Sequence, residues 1–136
     1  MPPPNQDPQL TALQTDLMRV LWARGEATAA EVHAALATGR NLAPTTVATL
    51  LRRLEKRGLV EHRSEGRQFV FRPLIGEEEA CEAMVGELAE RLFEGDPARL
   101  VHHLITRHEL RPDDLARVRA MIEARESEGS GDHDAR

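Results

Sequence analysis

The 136-residue sequence predicts a mainly α-helical protein with one small β-hairpin. Apolar residues recur at helical spacing through most of the chain. Two short runs, "LVEHR" and "QFVFR", are partly β-branched or aromatic and flank the polar Ser64-Glu65-Gly66-Arg67, a hairpin signal. Charge is split between the halves: residues 1–74 carry 10 Lys/Arg against 7 Asp/Glu, while residues 75–136 carry 8 against 16. A split of that kind points to two tasks, one of them facing a polyanion.

The elements follow in order. Residues 1–9, with four prolines, read as a flexible arm. Thr11-Ala12-Leu13-Gln14 is a capping box, in which Thr11 accepts from the backbone three residues on and Gln14 reaches back. Leu13, Leu17, Val20 and Leu21 then share a helical face, and Gly25 ends the run. Thr28-Ala29-Ala30-Glu31 is a second capping box, opening a short helix that stops near Gly39. Pro44 suits the first turn of a third helix, in which Val47, Leu50, Leu51 and Leu54 form the apolar side and Gly58 the stop. Three helices and then a hairpin within 10–74 is the order of a winged helix-turn-helix.

Beyond residue 74 the pattern is all helical. Cys81, Met84, Val85, Leu88 and Leu92 make one stripe. Asp96-Pro97 caps a helix with Leu100, Val101, Leu104 and Ile105. Pro112-Asp113-Asp114 starts a last helix with Leu115, Val118 and Ile122. Residues 75–126 are therefore expected to form a helical dimerisation domain, with Leu88, Leu92 and the seven apolar residues just named for the last two helices meeting a second copy across a two-fold axis. The polar segment 127–136 is expected to be a disordered tail.

The third helix carries the chemistry. Thr45, Thr49, Arg52 and Lys56 fall opposite its apolar side, with Thr46 and Arg53 on the flank, and the stripe contains no acid. Arginine can bond guanine O6 and N7 together, and threonine can reach a phosphate or a thymine methyl. Free N–H groups at Thr45 and Thr46 would suit a backbone phosphate. Arg63, Arg67 and Arg72 on the hairpin would meet flanking phosphates. Double-stranded DNA is thus the expected partner, and the competing reading is a winged helix that binds another protein.

Other single residues favour structural roles. Trp22 reads as a packing residue, and Cys81, within an apolar stripe, as a buried thiol rather than a redox sensor. His102, His103 and His108 lack the i, i+4 spacing of a helical zinc pair. No phosphate loop or nucleophile elbow is present, so neither an enzyme nor a cofactor is expected. The start lacks the basic-then-apolar pattern of a signal peptide, and no run approaches about 18 apolar residues. The expected location is the cytoplasm, without membrane insertion.

Several segments in order, "LTALQTDLMRVLWARGEATAAEVHAAL", "APTTVATLLRRLEKRGLVEHRSEGRQFVFRPLI" and "FEGDPARLVHHLI", resemble the bacterial penicillinase repressor group, which includes the methicillin-resistance and copper-transport repressors. The Thr-Thr-Val-x-Thr-Leu-Leu-x-Arg-Leu-x-Lys-x-Gly pattern from Thr45 to Gly58 is the most specific piece. The resemblance implies a dimeric repressor on a palindromic operator. It also implies release through cleavage triggered by a membrane sensor-protease encoded nearby. The bond matching the cleaved one is His103–Leu104, where the penicillinase repressor has Asn-Phe. The Cys-x-Cys motifs of the copper-responsive members are not found in this sequence.

Overall fold

The computed structural model describes the backbone of residues 9–134 and the side chains of residues 9–129. Apart from Gln9, the expected arm lies outside the described residues. Six helices and three strands follow in the order α1 (Ala12–Arg24), β1 (Ala27–Thr28), α2 (Ala29–Leu36), α3 (Pro44–Lys56), β2 (Val60–Glu65), β3 (Gln68–Pro73), α4 (Glu77–Phe93), α5 (Pro97–Arg107) and α6 (Pro112–Asp134).

Both capping boxes form. Gln14 N–H donates to Thr11 Oγ1 at 3.1 Å, and Thr11 N–H donates to Gln14 Oε1 at 3.0 Å. Glu31 N–H donates to Thr28 Oγ1 at 3.1 Å, and Thr28 N–H returns the bond to Glu31 Oε1 at 2.9 Å. The Thr28 backbone N–H, more than any other group, holds the Glu31 carboxyl below the ordinary glutamate range. A depressed carboxyl stabilises the fold above its unfolded-state pKa, and that contribution is lost as pH falls through the folded value. Thr28→Ala removes the cap and should cost about 1 kcal/mol in a urea melt followed through Trp22, the sole tryptophan.

Helix α3 ends as its glycine requires. Gly58 has φ 79°, Leu59 N–H reaches back to the Leu54 carbonyl at 3.0 Å, and Gly58 N–H to that of Glu55 at 2.9 Å. This pair of bonds is a Schellman stop, and its apolar contact joins the buried Leu54 and Leu59. The chain is thereby turned into β2. The hairpin loop is tighter than the four residues expected, because the strands run on to Glu65 and start again at Gln68. Gly66, at φ 63°, occupies the first position of the two-residue turn, where a left-handed conformation is needed.

The sheet has three antiparallel strands in the order β1-β3-β2. The hairpin pairs His62 with Phe71 and Ser64 with Phe69. The added strand β1 pairs Ala27 with Phe71 and Thr28 with Val70. It was not predicted, since two residues carry no periodicity. The core gathers Leu17, Met18 and Leu21 of α1, Val32 of α2, Val47, Leu51 and Leu54 of α3, and Leu59, Val60 and Phe71 of the wing. Trp22 packs at its edge, as expected, and donates from Nε1 to the Ile75 carbonyl at 2.8 Å.

The chain divides into two compact units, Met1–Leu88 and Ala89–Arg136. The division falls inside α4 rather than at residue 74, because Ile75 and Ala80 belong to the N-terminal core. Two further expectations are corrected. Cys81 is exposed, because Ala80, next to it on α4, is the residue that turns inward. Helix α6 continues to Asp134, past the residue where the tail was to begin. Extending an established helix fixes one residue per new hydrogen bond, so polar composition alone does not stop it.

Candidate nucleic-acid interface

Helix α3 presents two unlike faces. Val47, Leu51 and Leu54 are fully buried, and Leu50 packs against them half-buried. Thr45, Thr46, Thr49, Arg52, Arg53 and Lys56 are all exposed. Arg53 and Lys56 make no ion pair among the described residues. The acid nearest the stripe, Glu55, is turned aside and bonds His62 Nδ1 at 2.5 Å. The outward face therefore offers cations without internal neutralisation.

The threonines are less free than the sequence suggests. Thr46 N–H, expected to be open to a phosphate, donates to the Ala43 carbonyl at 3.0 Å. The proline at the first helical position lets that first turn close. Thr45 N–H has no such backbone acceptor among the described residues. Thr49 Oγ1 donates to the Thr45 carbonyl at 2.9 Å, so its hydroxyl proton is already used. What Thr49 still offers is an acceptor lone pair and a methyl group.

The wing divides its arginines. Cross-strand partners put Glu61, Arg63, Glu65, Val70 and Arg72 on one face of the hairpin and His62, Phe69 and Phe71 on the other. Arg63 is held by Glu65 at 2.6 Å and by Glu26 at 2.8 Å, and these two acids, Glu65 first, keep its guanidinium above the ordinary arginine range. Arg72 is paired with Glu61. These ion pairs lie in solvent and are cheap to exchange for phosphate. Arg67, at the hairpin tip, has no acid partner among the described residues.

The aromatic face of the wing supplies what the sequence reading missed. Phe69 is 37% exposed, stacks on His62 with ring centroids 4.1 Å apart, and lies under the Arg52 guanidinium at 5.5 Å. The alternation in "QFVFR" places both phenylalanines on one face and could have signalled it. Arg52, Arg67, Phe69, Ala48, Thr28 and Ala30 line an open groove of about 330 Å³. It joins α3, the wing tip and the start of α2. Its lining holds two arginines and no acid.

In the C-terminal unit and the helix leading into it, the expected interface residues lack cover. Leu88, Leu92, Val101, Leu104, Ile105, Leu115 and Ile122 are exposed, and Leu100 and Val118 are half-buried. His103 and Leu104 both lie exposed inside α5, with the His103 ring beside Phe93 at 5.7 Å and His108 at 6.1 Å. Among the described residues no group of three or more His, Cys, Asp or Glu is placed to hold a metal ion. No described helix is long and apolar enough to cross a membrane.

Residues 10–124 match the penicillinase repressor family. The penicillinase repressor of Bacillus licheniformis is 27% identical over 116 residues, covering 85% of this chain and 91% of that protein. The transcriptional regulator BlaI of Mycobacterium tuberculosis is 37% identical over 119 residues, covering 85% of this chain and 86% of the regulator. A crystal structure of a MarR mutant from E. coli is similar with a TM-score of 0.52 at 18% identity, over 85% of this chain and 77% of that one, a likeness of fold. The match runs through the winged helix and on into α6, and the chain therefore belongs to the penicillinase repressor family, a family of transcriptional repressors rather than enzymes.

Proposed function

We propose that this protein is a dimeric repressor that binds a palindromic operator in the cytoplasm. Helix α3 enters the major groove of double-stranded DNA, and the wing lies on the flanking backbone. The observation that carries this reading is the exposed, acid-free face of Thr45, Thr49, Arg52 and Lys56 set opposite a fully buried Val47, Leu51 and Leu54. Arg52 is assigned to a base, and Thr46, Arg53, Arg63 and Arg67 to the neighbouring backbone. Two copies are needed, since half-sites about 34–36 Å apart are read by helices related by a two-fold axis. The uncovered apolar faces of α4, α5 and α6 support that pairing. Release by cleavage at His103–Leu104, triggered by a membrane sensor-protease encoded nearby, rests on the family resemblance. A peptide bond inside α5 reaches a protease only when that helix opens.

Gel shifts with DNA from upstream of the protein's own operon test the reading. Affinity should fall steeply with salt, in proportion to the phosphates neutralised. Arg52→Ala should cost about 1–3 kcal/mol on the operator and much less on random DNA. An equal loss on both sequences would reassign Arg52 to a phosphate. Absence of salt-sensitive binding to that DNA would favour a protein partner for the same face.

A further inference from the structure

The side chains between α3 and the wing form a closed circuit. Glu55 of α3 bonds His62 of β2 at 2.5 Å. His62 stacks on Phe69 of β3 at 4.1 Å, with the rings only 24° from parallel. Phe71 meets the edge of Phe69 at 6.5 Å and 74°. The Arg52 guanidinium, one turn back from Glu55 on the same helix, completes the circuit over the Phe69 ring. Each member has a reason to stay. Phe69 has a partner on its face and another at its edge, and the buried Phe71 fixes the strand that carries it.

An arginine stacked flat on an aromatic face keeps its in-plane N–H groups free, because the attraction then uses the ring quadrupole and the flat side of the cation. An unheld arginine loses several rotatable bonds' worth of freedom when it grips a base. One already held loses less, and the saving applies only to contacts that need its fixed position. A phosphate accepts an arginine from many directions, whereas a guanine edge does not.

We propose that Phe69 is a positioning residue for Arg52, through which the wing sets the sequence specificity of the recognition helix. This rests on the DNA-binding reading above. Phe69 touches no base in the proposal, so a purely structural Phe69 would change stability and leave operator preference alone.

The test compares operator with random DNA for Phe69→Leu and Phe69→Tyr, in the full chain and again with Arg52→Ala. Phe69→Leu should lower the operator-to-random affinity ratio by roughly threefold to tenfold. Phe69→Tyr, which keeps the ring, should stay within about twofold of the parent. With Arg52→Ala present, Phe69→Leu should lower the ratio no further. An unchanged ratio in a folded Phe69→Leu protein overturns the proposal, as does an equal drop without Arg52. A readout free of DNA accompanies these. Arg52 side-chain protons in the unmodified protein should resonate upfield of random-coil positions through the ring current of Phe69. Random-coil positions there overturn the proposal even if Phe69→Leu does not fold. Failure of the unmodified protein to bind the operator would instead strike the DNA-binding reading, and the NMR result would stand apart from it.

Discussion

Leu51→Ala is expected to lower the unfolding free energy of the N-terminal unit by about 2–5 kcal/mol. Leu51 is fully buried on the inner side of α3, among core residues from α1, α2 and the wing. Its loss removes three side-chain carbons from an apolar site and leaves a cavity that those elements can close only in part. Small domains have about 5–15 kcal/mol in total, so this one substitution removes a large share. A urea melt read through Trp22 fluorescence measures it, and an unchanged midpoint would mean that α3 is not packed as described. Arg52→Ala is the matched control on the opposite face of the same helix. It should cost no more than about 1 kcal/mol of stability, the size of its contact with Phe69, while it weakens operator binding.

Leu104→Asp should dissociate the proposed dimer without unfolding the winged helix. Leu104 is exposed on α5 beside Val101 and Ile105, and a two-fold contact would bury it twice. Each carboxylate carried into that interface without a partner costs several kcal/mol, and a dimer contains two. The dissociation constant should rise by about 10⁴-fold or more, which sedimentation velocity over a concentration series can follow. Operator affinity should drop with it, while the Trp22 melt of the N-terminal unit stays in place. A dimer that survives the substitution would move the two-fold contact to another face. The core of the winged helix would not be implicated in either outcome.

What could be read in the sequence was what depends on near neighbours along the chain. Thr11 with Gln14 and Thr28 with Glu31 are local motifs, and both boxes formed. The starts of α3, α5 and α6 at Pro44, Pro97 and Pro112 were legible for the same reason. The two faces of α3 followed from periodicity alone. Contacts between residues distant in sequence were not legible. Glu26 and Arg63 are 37 residues apart, so no local pattern announces that a wing arginine is already paired. The Arg52–Phe69 contact depends on how the hairpin returns over α3, which spacing does not encode. Cys81 had an apolar stripe to suggest burial, but the sequence does not say where the N-terminal core ends along α4. The end of α6 was missed because composition reports what a segment can bury, whereas a helix already begun can run on through polar residues.

Thr28 has two attachments at once. Its backbone pairs with Val70 at the edge of the wing, and its hydroxyl caps α2. The wing and the helix-turn-helix are therefore not separable cassettes. A hairpin transplanted from a relative would have to bring a matching edge partner, or it would disturb the start of α2 on arrival. Changes to wing length and to the α1–α2 connection should be made together in any redesign, since one residue belongs to both.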